Sequence, residues 1–229
     1  MNSFVLKIIA CITMFIDHIG YVIFDGPSWF NYIGRLAFPI FAFQISEGFI
    51  HTKDVKKYLL RLFILAIVSQ VPFMLFSSII RDEFSLNVIF TLLFGLISMI
   101  AYNSNKLLGV ISATLLGIIA QFTNCDYGFY GVAITFLFYI FRNNKPLLVA
   151  GFSLTVIINY AYRILIYLEY GRAMLEYAFS YYLPYAIGTL LTIVVILLYN
   201  KKKGPNTRYL LYLFYPLHLI LVYGISLIL

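Results

Sequence analysis

Nine apolar stretches, joined by connections too short to hold a soluble domain, constrain this chain more than any other feature. Windows long enough to cross a bilayer core, about 20 residues, fall at roughly 4–24, 30–50, 58–80, 86–103, 147–168, 178–199 and 209–228. Two shorter ones lie near 107–122 and 127–141. The joins are brief and polar: DGPSW, HTKDVKK, RDEF, NSNK, TNCD, RNNKP, EYGRAMLEY and NKKKGPNTR. No linker, low-complexity tract or internal repeat interrupts them. The expectation is one transmembrane domain over 1–229, an all-α polytopic membrane bundle of about nine helices. Only 11% of residues are charged, against about 25% in a soluble domain, so most of the chain meets the lipid bilayer. The first stretch has no basic n-region beyond Lys7 and no small-x-small cleavage site, and it is read as a retained helix. Cys11 falls in that stretch and Cys125 in a short join, so no disulfide is expected.

The charges set an orientation. With the N-terminus in the cytoplasm, the inner joins carry Lys7, Lys53, Lys56, Lys57, Arg61, Lys106, Arg142, Lys145, Lys201, Lys202, Lys203 and Arg208, twelve of the sixteen basic residues. Arg81, Arg163 and Arg172 fall at the outer ends, with most of the acids, including Asp25, Asp82, Glu83 and Asp126. Such a bias predicts N-terminus inside, nine helices and C-terminus outside. It also accounts for the net charge of +7 as a topology signal and argues against a nucleic-acid surface.

Against this background the run FIDHIG, residues 15–20, stands out. A charged residue at a helix centre costs about 2.5–3.5 kcal/mol on insertion scales, so such residues are usually paired and face the bundle interior. His18 lies about six residues from the outer end of the first helix and Arg35 about five from the outer end of the second. Both are then roughly 8 Å deep and close enough to be neighbours. Asn87, Thr91, Gly95 and Ser98 form one stripe of the fourth helix, and Thr155, Asn159 and Arg163 share a face of the seventh. A polar cavity in the outer half, lined by the first, second, fourth and seventh helices, is expected. On the inner side Glu47 and His51 precede the basic join with Lys53, Lys57 and Arg61, and Lys201 to Lys203 lie on the same side, a set suited to phosphates. His218 follows Tyr215-Pro216 near the middle of the last helix. Each feature also has a plain structural explanation: an ion pair for Asp17 and Arg35, helix packing for the Asn87 stripe, topology for the basic joins.

A histidine at a membrane cavity suits general base catalysis, since its ordinary pKa, about 6.5, lies near working pH. Asp17 serves either His18, as an orienting carboxylate, or Arg35, as an ion-pair partner; residues adjacent in sequence point about 100° apart on a helix. Arg35 and Asn87 are candidate oxyanion stabilisers. Without a convincing nucleophilic Ser or Cys, direct transfer from an activated donor fits better than a covalent hydrolase. No metal-ligand spacing, P-loop or dinucleotide fingerprint is present.

The blocks KIIACITMFIDHIG, IGRLAFPIFAFQISEGFIHTK, KYLLRL, SQVPF, LNVIFTLLFG and YLFYPLHL together resemble the TraX family over nearly the whole chain. The resemblance implies a multi-helix protein of the bacterial plasma membrane, in a family named for N-terminal acetylation of the conjugative pilin. It is also similar to the wider membrane acyltransferases that acetylate cell-surface sugars and lysosomal heparan sulfate, with acetyl-CoA used from the cytoplasm. The implied activity is acetyl transfer from acetyl-CoA to an extracytoplasmic protein N-terminus or glycan. His18, Asp17 and Arg35 would be catalytic. Asn87, Asn159, Arg163, Glu47, Tyr215 and His218 would meet the acceptor or the oxyanion, and His51, Lys53, Lys57 and Arg61 the CoA. Two other classes stay open: an ion- or proton-coupled transporter using Asp17, His18 and Glu47, and a non-enzymatic membrane immunity or interaction protein.

Overall fold

The computed structural model describes the chain apart from Asp25, Pro27, Arg81, Asp82, Asn206 and Thr207 and the side chains of 208–211. The positions assigned above to Asp25, Arg81, Asp82 and the Arg208 side chain therefore lie outside the described residues. Every apolar stretch is helical, and among the described residues the only β feature is an isolated Leu86–Cys125 bridge. The helices are α1 (Ser3–Ile23), α2 (Trp29–Gly34), α3 (Ala37–His51), α4 (Val55–Val68), α5 (Gln70–Ser77), α6 (Val88–Ser104), α7 (Lys106–Phe122), α8 (Gly128–Ile140), α9 (Lys145–Leu165), α10 (Arg172–Leu197) and α11 (Arg208–Ser226), with a 3₁₀ segment Ile166–Tyr170 after α9.

Short polar joins become helix starts because their Asn and Asp side chains satisfy backbone N–H groups that have no partner within the helix. Asn2 accepts from Val5 N–H, Asn105 from Leu107 and Leu108, and Asn144 from Leu147. Asp54 caps α4 through Lys57 N–H, and this bond, with the Lys57 side chain, holds the carboxyl below the usual carboxylate range. Two of the expected single helices are broken. The 30–50 stretch is interrupted at Arg35–Leu36, between α2 and α3. The 58–80 stretch bends by 41° between α4 and α5. Pro72 causes that bend, because it has no N–H for the carbonyl one turn back.

The short helix α8, one of the two weakest windows in the sequence, occupies the middle of the bundle. It packs on α3, α6, α7 and α9, and Val132, Ile134 and Phe138 are fully buried. A helix enclosed by protein does not have to match the thickness of lipid. Its partner α7 is peripheral: Leu107, Leu115 and Ile118 are exposed, as expected of a lipid-facing side chain. Among the described residues, four helical segments are long and apolar enough to cross a membrane, Ser3–Ile23, Trp29–His51, Lys145–Tyr170 and Arg172–Leu197, and five if the bent α4–α5 pair is one span. Helices α6, α7, α8 and Tyr212–Ser226 are shorter apolar helices.

The start of α1 docks on the join before α11: Ser3 N–H donates to Lys202 C=O at 2.8 Å, and the N-terminal ammonium donates to Leu198 C=O at 2.6 Å. We call this the near end of the bundle. Helices α1 and α11 both leave from it, so they run parallel and pack together. The opposite, far end is tied by the Leu86–Cys125 bridge.

Candidate functional site

Helix α1 carries the centre of the site. Asp17 is 8% exposed, and its carboxylate receives Arg35 Nη2–H at 2.7 Å and 2.5 Å. Arg35 stands at the interruption between α2 and α3, where its Nε–H donates back to Asn31 C=O at 3.2 Å while Nη2 also reaches the Tyr21 hydroxyl. Asn31, fully buried, closes the cluster by donating to both the carboxylate and the backbone carbonyl of Asp17. Glycine 34 makes room for it, since a Cβ there would collide with the Asp17 side chain. The guanidinium also lies over the Tyr185 ring, 5.1 Å from its centre. Asp17 therefore serves Arg35, which decides between the two roles the sequence left open for it.

His18 turns to a different neighbour. Its Nδ1 lies 3.0 Å from Nε2 of His218, and Nδ1 of His218 lies 2.8 Å from the Phe214 carbonyl. The two imidazole planes are within 13° of one another with centres 5.0 Å apart. With so short a nitrogen–nitrogen contact, that geometry is an edge-to-edge hydrogen bond. The Phe76 ring covers His18 from α5, 4.3 Å away between centres.

A cavity of about 1570 Å³ passes His18, Asp17 and Arg35. At the near end Lys7, Glu47, His51, Arg61, Lys201 and Lys203 line it; at the far end, Glu83, Asn124, Asp126, Asn159 and Arg163. It is therefore larger than the outer-half cavity expected from sequence, and it draws on nearly every helix. Arg61 Nε and Gln44 Nε2 are buried donors without a hydrogen-bond partner among the described residues, and both side chains line the near end. The Glu47 carboxylate sits against the Tyr199 hydroxyl.

Several expected site residues lie elsewhere. Asn87 is fully buried and is not part of the lining. Its amide caps α6 through Ile89 N–H and donates to Ala66 C=O at 2.8 Å and to Gln70 Oε1 at 2.8 Å. These bonds supply partners at the α4–α5 bend, so the amide has no capacity left for an oxyanion. In the rest of the Asn87 stripe, the Thr91 hydroxyl donates to Asp126 C=O, Ser98 donates to Phe94 C=O, and Gly95 lies against Thr135. His218 does not line the cavity. Lys53 and Lys57 stay outside the lining, and Lys57 pairs with Asp54 at 3.2 Å. His51, Arg61, Glu47, Asn159, Arg163 and Tyr215 do line it. Sequence reasoning passed over Asn31, Tyr21 and Tyr185. Only Asn31 carried a signal, one helical turn before Arg35. Lys7 also lies on the α1 face of Cys11 and His18, four and eleven residues away.

Comparison with known proteins gives a consistent picture. The chain matches the protein family described as TraX protein over residues 3–226. It is 28% identical, over 241 aligned residues, to a probable fimbrial assembly protein FimC, serogroup H1, of Dichelobacter nodosus, covering 96% of this chain and 94% of that relative. No solved structure matches it.

Proposed function

The chain belongs to the TraX family, and on that footing we propose that it is a bacterial inner-membrane acyltransferase moving an acetyl group from cytoplasmic acetyl-CoA to an acceptor on the other side. The reading rests on one observation: a single cavity joins a cationic end to a polar far end and passes His18 and Arg35 between them. On this reading the near end faces the cytoplasm, supported by the excess of basic residues in its joins, and the C-terminus is outside if all nine helical stretches cross. The acceptor is an amine or hydroxyl on a protein N-terminus or a glycan. The likeness to a fimbrial assembly protein makes a pilus subunit the first one to try.

The residues at the near end suit CoA. Lys7, His51, Arg61, Lys201 and Lys203 can meet its phosphates, and the unpartnered donors Arg61 Nε and Gln44 Nε2 suit an acceptor-rich ligand. From Ser3 to His18 is about 22 Å along α1, so a donor anchored there needs a long flexible arm to bring its thioester to His18. The thioester supplies an activated acetyl group, whose C–S bond breaks as the acceptor's new N–C or O–C bond forms. His18 removes the acceptor's proton and returns it to the departing thiolate. Arg35, fixed by Asp17 and Asn31, stabilises the oxyanion with Nη1, which has no hydrogen-bond partner among the described residues.

Purified protein incubated with labelled acetyl-CoA and a panel of amines and sugars should release CoA and transfer label. His18→Ala should abolish transfer in protein that still inserts and folds. No CoA binding, and no release with any acceptor, would sink the proposal. The α2–α3 and α4–α5 breaks beside the cavity favour a second reading, a carrier with interrupted helices. Ion-coupled uptake into vesicles without CoA would support that reading instead.

A further inference from the structure

We infer that His218, which does not line the cavity, is the positioning residue for His18: it holds the His18 ring with the proton on Nδ1 and so leaves Nε2 bare as the base. This assignment rests on the proposed acyl-transfer reading only for its catalytic consequence.

The argument starts at the Phe214 carbonyl. A carbonyl oxygen can only accept, so the His218 Nδ1 that lies 2.8 Å from it carries a proton. A neutral imidazole has one N–H and one lone pair, which leaves Nε2 of His218 as an acceptor. The atom it meets at 3.0 Å, Nδ1 of His18, must then be the donor. The same rule leaves His18 Nε2 without a proton. A free imidazole carries no such restriction; here the ring is held by α11 on one edge and covered by Phe76 on one face.

Helix α11 is built to present His218 in this way. Its ring lies parallel to Phe214, with interplanar angle 2° and centres 4.7 Å apart, and Tyr215 flanks it. His218 is 3% exposed, so water does not compete for its nitrogens. The charged and titratable groups around the pair are Asp17 and Tyr21 on α1, Arg35 at the α2–α3 break and Tyr215 on α11. Asp17 and Tyr21 are already bonded to Arg35, which leaves His218 as the hydrogen-bond partner of His18 among the described residues.

The chain has three histidines, so ¹⁵N-histidine labelling gives three imidazole signal sets, and the His218→Phe and His51→Asn variants assign them. In wild-type protein His18 should show a protonated Nδ1 and an unprotonated Nε2. The His218→Gln variant keeps an acceptor oxygen near the position of Nε2. It should preserve that pattern and transfer within about tenfold of wild type, since only one hydrogen bond is altered. His218→Phe has no acceptor. It should release His18 into the Nε2-protonated form and lower kcat by about a hundredfold, the scale of general-base catalysis, with KM for donor and acceptor unchanged. A wild-type His18 protonated on Nε2 would overturn the inference whatever the enzymology, and so would a His218→Phe variant that keeps the wild-type pattern. Correct wild-type and variant spectra from a protein that transfers nothing would uphold the inference and refute the acyltransferase reading.

Discussion

At the scale of single residues, the buried Asp17–Arg35 pair is tolerable because every partner is provided. The carboxylate meets a guanidinium and an amide, and the guanidinium meets a carboxylate, a carbonyl, a hydroxyl and a ring. Removing one member of a buried pair leaves the other uncompensated, at about 3–5 kcal/mol. Asp17→Ala and Arg35→Ala should each lower the thermal unfolding midpoint in detergent, and the double variant should fall short of their sum. Additive losses would show that the two do not act as a pair. Gly34→Ala should act as strongly as Asp17→Ala, because its methyl group would occupy the space of the carboxylate.

At the scale of elements, the bends matter as much as the helices. The α4–α5 bend lies beside the first residues of α6, and Asn87 and Gln70 lock the two together through bonds to Ala66, Ser85 and each other. Asn87→Ala should cost about 1–3 kcal/mol, the usual loss when buried hydrogen-bonding groups are left without partners. Measured well below the unfolding midpoint, it should leave KM and kcat within a few-fold of wild type. A hundredfold loss of kcat in stable Asn87→Ala protein would return this residue to the chemistry.

For the whole molecule, one cavity is lined at both ends and passes His18; under the proposed acyl transfer, donor and acceptor would reach His18 from opposite sides. Both should be bound together, so initial-rate plots should intersect; parallel lines would indicate a covalent acetyl-enzyme instead. Replacing Lys201 and Lys203 by Gln should raise KM for acetyl-CoA by about tenfold or more, as expected for charge-assisted contacts to phosphate. The same change at Lys53 and Lys57 should do little. Topology is open to direct labelling: Cys11 and Cys125 are both buried, so new cysteines at Asn143 and Glu169 can be read over a silent background. A membrane-impermeant maleimide should reach Glu169→Cys in whole cells and Asn143→Cys only after lysis. The reverse pattern would invert the bundle.

Hydrophobic runs and Asn or Asp caps act within a few residues, so the helical, apolar character of the chain, the approximate extent of its helical stretches and the basic side of the bundle were legible from local pattern alone. FIDHIG and the Arg35 level were legible for the same reason: depth along a helix is a matter of counting. Which polar groups meet is settled by packing. Asp17 turns to Arg35, His18 turns to a histidine two hundred residues away, and Asn87 supports a bend and does not line the cavity. Those choices depend on breaks in α2–α3 and α4–α5 and on α1 and α11 lying side by side. Rotation about a helix axis and pairing between distant helices are set by the packing of the entire bundle, which no local pattern records.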